Sequence, residues 1–211
     1  SSSRPNLGIV HVQSTARKNL GADDEAVVMT WQRKVQVYKK DDAITVTGFD
    51  IEPEKVDCPL WLPAYDPKTD YASLEHLSSR DSYFEDLEPG TRIEHSRGRT
   101  VTEEHIQLTG ILDNTSQVHC NQQMIDWNPK QYVGGKLIIF GGLPFILCLG
   151  LSGPDVGDNA LGDVVYNTGR HTAPLFAGDT VFAATEILEK HDYPERPDLG
   201  LVATRLFGHK F

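Results

Sequence analysis

One stretch constrains the fold of this 211-residue chain more than any other: LPFILCLGL, from Leu143 to Leu151. Pro144 suits the first turn of a helix, and the run is introduced by Gly141 and Gly142. No polar residue interrupts it, so a helix built from it has no face for water and is expected to be buried on most sides. It is far shorter than the roughly 20 residues that span a bilayer, and it contains Pro and Gly, so no membrane anchor is expected. Three strand-like stretches follow: GDVVYNTGRH, DTVFAATEILEKH and LGLVATRLFG, parted by the turns APLFAGD and DYPERPD. A fourth, TRIEHSRGRTV, precedes it behind the Pro89-Gly90 turn. A buried helix wrapped by antiparallel strands predicts an α+β fold.

Between TRIEHSRGRTV and the apolar run, Thr102 can cap a short helix through Ile106, Gln107 and Leu108. Glu103 and Glu104 then sit at the positive end of its dipole. QQMIDW predicts a further helical turn before Pro129.

The first forty residues have a different character. LGIVHVQSTA and AVVMTWQRKVQVY flank the turn NLGADDE, which predicts a hairpin. Val27, Met29, Trp31, Val35 and Val37 fall on one side of an alternating pattern and should form its buried face. A lone hairpin is only marginally stable in water, so residues 1–40 are expected to close an N-terminal domain whose beginning lies outside this chain. The alternative is that the hairpin adds to the sheet of the second domain. Residues 41–82, with Pro53, Pro59, Pro63 and Pro67 and no sustained period, predict a linker. Its Leu60, Trp61, Leu62 and Tyr65 are expected to lie against a surface. Residues 83–211 form the second domain.

Charge and cysteine use narrow the function. A net charge of −10 without a basic face argues against nucleic acid. Cys58, Cys120 and Cys148 are odd in number and scattered, with no CxxC or Cys/His pairing, which predicts a reducing cytoplasm and no metal site. Cys120 is expected in the core, not as a nucleophile.

The candidate chemistry lies in GILDNTSQVHCNQ, Gly110 to Gln122. Imidazole is the side chain whose ordinary titration falls near neutrality, so His119 can take and return a proton, or it can be a plain structural histidine. Asn114 cannot titrate and can only orient a partner through hydrogen bonds. Asp113 is the acid beside it, in register only if the loop shifts by one residue. At Gly141 and Gly142, free N–H groups at a helix start can receive a developing oxyanion, and glycine permits close approach. Glycine there could equally serve only to make room. His95, His105, His191 and His209 have no neighbours in sequence that suggest catalysis and are expected on the surface or in packing.

YFEDLEPG, GRTVTEEH, DNTSQVHCNQ, GGKLIIFGG and GRHTAPLFAGDT, in that order, resemble the MaoC-like hotdog family, and the frames NTxxVHxNQ and GRHxxPxFAGDT resemble its mesaconyl-CoA hydratase (β-methylmalyl-CoA dehydratase) branch. The resemblance covers residues 83 to 207 and the opening hairpin. It implies an antiparallel sheet wrapped around a central helix, the hairpin being the end of a first hotdog in a double-hotdog chain. FGHKF then looks like an early end, since family members continue into a further strand. The family's loop carries an Asp, four residues, then a His; here the pair is Asn114 and His119. The resemblance implies a hydro-lyase for an enoyl-CoA thioester, with His119 and Asn114 (or Asp113) catalytic, Gly141 and Gly142 on the thioester carbonyl, and no cofactor beyond the CoA of the substrate. A mesaconyl group bears a free carboxylate, which Arg170 could bind bidentately with His171 beside it. Lys136 could meet a CoA phosphate. Expected partners are the acyl-CoA, the absent N-terminal half and further copies of the chain in a homo-oligomer. The alternatives are a hotdog acyl-CoA thioesterase and a non-catalytic structural hotdog.

Overall fold

The computed structural model describes residues 7–39, 71–166, 168–194 and 196–211. The chain divides into two compact units, Ser1–Trp61 and Leu62–Phe211. Most of the 41–82 segment, with its four prolines, Cys58 and Leu60 to Tyr65, lies outside the described residues.

In the first unit, β1 (Leu7–Lys18) pairs antiparallel with β2 (Ala26–Tyr38). The turn is closed by Asn19, whose φ of 53° is tolerated by its short polar side chain and whose amide donates to Asp24 at 2.7 Å. The expected hairpin is present, but its expected buried face is not. Met29 is 56% and Trp31 41% exposed, because a two-stranded ribbon offers no second layer to cover them. A bulge adds a further departure. Ala16 faces Met29 and Arg17 faces Val27, leaving Val28 as the extra residue, so the alternation through Val27 is interrupted.

In the second unit, β3 (Arg92–Thr100), β4 (Thr180–Asp192) and β5 (Gly200–Lys210) form an antiparallel sheet in the order β3-β4-β5. Helix α1 (Glu103–Ile111) starts at Thr102, whose backbone N–H donates to His105 Nδ1 at 3.0 Å. His105 therefore stands where a capping box usually has Glu or Gln. Helix α2 spans Gln122–Trp127, with Asn121 Oδ1 accepting the Met124 N–H. Helix α3 (Gly142–Ser152) is the apolar run, and it lies on the sheet chiefly against β4.

The core gathers Val101, Ile139, Leu143, Cys148, Leu175, Val181 and Ala183 between α3 and the sheet. At Gly208 on β5, a Cβ would come within 2.6 Å of Cys148 Sγ, so glycine is what lets the strand close on the helix. Of the two described cysteines, Cys148 is buried and Cys120, expected in the core, is exposed.

Two expectations fail here. Helix α3 buries Leu143, Cys148 and Ser152, but Phe145 and Ile146 are exposed, Ile146 by 56%, since the described sheet covers one side only. GDVVYNTGRH forms no strand among the described residues. Val164, Val165 and Tyr166 are exposed there, and Tyr166 instead packs edge-on against Phe145 at 5.1 Å. Strand propensity expresses itself only where a neighbouring strand supplies the ladder. No helix among the described residues is long and apolar enough to cross a membrane.

Of the two places expected for His95, surface or packing, the structure shows packing. Its side chain is fully buried on β3, with Nδ1 donating to Asp155 Oδ2 at 2.6 Å and Nε2 facing Thr185 Oγ1 at 2.9 Å. Asp155 belongs to the π-helical turn Gly153–Gly157 that ends α3, so the imidazole ties the helix end to β3 and β4. Both ring nitrogens are occupied, which leaves none for a ligand; the role is structural. His95→Ala strands a buried hydroxyl and removes a charge-assisted bond, and should cost about 2–3 kcal/mol. Native-state hydrogen exchange at β3 and β4 would read the loss, and unchanged protection would refute it.

Candidate active site

The loop that holds Asn114 and His119 begins where α1 ends. Asp113 N–H donates to Gly110 O at 3.0 Å and Asn114 N–H to Thr109 O at 3.1 Å, the two bonds of a Schellman motif. Asp113 occupies the left-handed position with φ 53°, a conformation that its short polar side chain tolerates. It is exposed. Its place is thus explained by the helix end. Asn114 follows half-buried, its Oδ1 accepting the Ser116 N–H at 3.0 Å. Among the described residues, neither Asp113 nor Asn114 bonds to the imidazole of His119.

His119 ends the short 3-10 turn Gln117–His119. Its Nδ1 lies 2.7 Å from Ile138 O. A carbonyl can only accept, so Nδ1 carries the hydrogen, and in the neutral ring Nε2 is left with its lone pair. The grip is double, since Ile138 N–H donates back to Val118 O at 3.2 Å. Phe140 meets the imidazole edge-on at 5.9 Å. His119 is half-buried and Nε2 has no partner among the described residues.

The segment that holds His119 runs directly into the start of α3. Ile139 N–H is anchored on Leu175 O at 2.8 Å, and Leu143 N–H closes onto Phe140 O at 2.9 Å. Gly141 and Gly142 lie between. Their N–H groups come too early for the helical ladder and have no partner among the described residues. A Cβ on Gly142 would sit 2.7 Å from Phe140 Cε1, and one on Gly141 would sit 2.8 Å from His171 Nε2. Structure therefore sets His119 against Ile138 and Phe140, on the segment that leads into Gly141 and Gly142, and sets His171 against Gly141.

Arg170, next to His171, is exposed and has no hydrogen bond or ion pair among the described residues. Lys136 is also exposed. Burial pushes the Asp179 carboxyl up, but the Lys210 hydrogen bond at 2.6 Å, the Phe176 N–H and the Lys210 and Lys136 charges together hold it below the ordinary value. Lys136 thus adds to the field on Asp179. The described residues hold no cluster of three or more His, Cys, Asp or Glu that could bind a metal ion. The Ile138 carbonyl, the Gly141–His171 contact and the His95 network were not foreseen from the sequence, and no local motif marks them.

Over 212 aligned residues the chain is 34% identical to β-methylmalyl-CoA dehydratase of Chloroflexus aurantiacus, covering 96% of this chain and 56% of that one. Over 207 residues it is 31% identical to mesaconyl-CoA hydratase of Cereibacter sphaeroides, with the same coverage. The structure superposes on a MaoC domain protein of Chloroflexus aurantiacus with a TM-score of 0.77 and 32% identity, over 99% of this chain and 57% of that one. The chain belongs to the MaoC-like hotdog family. A Mycobacterium tuberculosis protein with a double hotdog fold, 16% identical, superposes with a TM-score of 0.60 over 100% of this chain and 58% of its own, a likeness of fold alone. No family model matches the chain.

For a MaoC-like hotdog, then, the central helix is α3, and the loop from Asp113 to His119 lies beside the segment that leads into its start. The chain spans 56% of the length of the curated relatives it matches.

Proposed function

We propose that this chain carries the hydrating site of a CoA-thioester hydro-lyase, acting on mesaconyl-CoA to give β-methylmalyl-CoA and on the reverse reaction. The observation that carries the reading is His119 Nε2, without a partner among the described residues while Ile138 O holds the other nitrogen, on the segment that leads into Gly141 and Gly142, whose N–H groups likewise have none there. Hydration needs a base for the water and donors for the enolate oxygen. His119 Nε2 takes a proton from water as its oxygen bonds to the β-carbon. The C=C electron pair moves toward the thioester, and the helix-start N–H groups receive the developing negative oxygen. Asn114 positions the loop through its bond to Ser116 N–H. Arg170 and His171 meet the acyl chain, Arg170 pairing with its distal carboxylate. Lys136 serves the CoA phosphates. The names of the two relatives, at 34% and 31% identity, favour this substrate class.

In the same reading, residues 1–40 belong to a first hotdog, joined through residues 41–82 to the second at 83–211. The exposed Met29 and Trp31 are side chains that a further layer would cover, and the double-hotdog likeness supports the arrangement. The protein works without a cofactor, as a homo-oligomer, in a reducing cytoplasm that suits the free thiols of Cys120 and Cys148.

One assay tests this. The full-length protein is incubated with mesaconyl-CoA while enoyl absorbance and free thiol are followed together. Loss of absorbance without thiol is the expected result. Thiol release would instead mean a thioesterase, and no change in either a structural hotdog.

A further inference from the structure

Hydration across a C=C bond also needs an acid that protonates the α-carbon, and apart from His119, whose one available nitrogen is taken up with the proton of the water, the loop supplies none. Asn114 has no proton to exchange, and its Oδ1 is taken by Ser116 N–H. Asp113 is exposed, held in the left-handed position that ends α1, and has no bond to the His119 ring. His119 has a single nitrogen available, because Nδ1 is given to Ile138 O.

The turn nevertheless has a second titratable side chain. His171 Nε2 lies 2.8 Å from where a Cβ on Gly141 would be, so the imidazole tip reaches the backbone whose N–H faces the substrate's carbonyl in the reading above. Neither nitrogen of His171 has a hydrogen-bond partner among the described residues, and the side chain is exposed to an incoming ligand. This is the opposite of His95, both of whose nitrogens are consumed.

We infer that His171 is the proton donor to the α-carbon, replacing the carboxylic acid that Asn114 cannot be. The inference rests on the hydratase reading and assigns the second half of that reaction. Water's oxygen bonds to the β-carbon and one of its protons passes to His119 Nε2. The C=C pair becomes the enolate, held by Gly141 and Gly142 N–H. The enolate's electron pair then forms the α-C–H bond with the proton of protonated His171. His119 ends protonated and His171 neutral, and solvent returns the proton from one to the other.

The test is His171→Gln in the full-length protein, with mesaconyl-CoA and crotonyl-CoA as substrates. His171 is exposed, so the substitution spares the fold. A general acid contributes about 10²–10⁴ in rate; kcat should fall at least a hundredfold on both thioesters, with KM within about threefold. Adding Asn114→Asp to His171→Gln, which supplies a carboxylic acid at the loop, should recover at least tenfold of the lost kcat. Unchanged kcat in His171→Gln, a KM rise confined to mesaconyl-CoA, or no recovery in the double variant would each overturn the assignment. A wild-type protein that hydrates neither thioester would instead remove the hydratase reading on which it rests.

Discussion

Replacing His119 with alanine is expected to lower kcat for mesaconyl-CoA hydration by about 10³-fold, in the middle of the range for losing a positioned general base. The Ile138 carbonyl, 2.7 Å from Nδ1, compels that nitrogen to carry the hydrogen and aims Nε2 out of the loop as the acceptor. Alanine removes the acceptor and leaves one carbonyl unpaired, a minor loss at a half-buried position. Stability should therefore change little while turnover collapses. KM should stay within a few-fold, because the helix-start N–H groups and Arg170 are untouched. The checks are steady-state kinetics beside a thermal melt. An alanine variant with more than about a tenth of wild-type kcat would refute His119 as the base. A variant that loses both activity and fold would make the histidine structural.

The second large effect concerns selection among acyl groups. Arg170→Leu should raise KM for mesaconyl-CoA on the order of a hundredfold and leave crotonyl-CoA within about twofold. A fork of two charge-assisted hydrogen bonds to a carboxylate contributes about 2–3 kcal/mol, and about 1.4 kcal/mol is a factor of ten. The guanidinium has no other partner among the described residues, so removing it disturbs no internal network. Its neighbour His171 reaches the Gly141 turn, which fixes the neighbourhood in which the distal carboxylate would be met. Comparing KM on the two thioesters isolates the carboxylate, since they share the CoA and the double bond. Equal changes on both would refute the role.

Where these residues sit was partly legible in the chain and partly not. The helix at Gly142–Ser152 and the cap at Thr102 follow from local rules: an unbroken apolar run, and a hydroxyl ahead of two glutamates. Strands β3, β4 and β5 were legible for the same reason. GDVVYNTGRH forms no strand among the described residues because its β-prone Val164, Val165 and Tyr166 need a neighbouring strand for pairing, which no residue within the stretch can provide. The burial expected around α3 failed likewise: an apolar helix shows that it needs covering, not which side the described strands cover.

The residue types of the active-site loop, the glycine pair and the adjoining Arg170 and His171 were all set by the sequence itself, together with the absence of an acid at Asn114. Only the tertiary structure decided how they are placed and which of their polar atoms are paired. It determined which nitrogen of His119 is free, through a carbonyl 19 positions away. It consumed both nitrogens of His95, through Asp155 and Thr185 at 60 and 90 positions, and left those of His171 without a partner among the described residues, beside Gly141. The reason is physical: a hydrogen bond depends on distance and direction in space, and residues joined across such separations carry no mark of it in their local sequence.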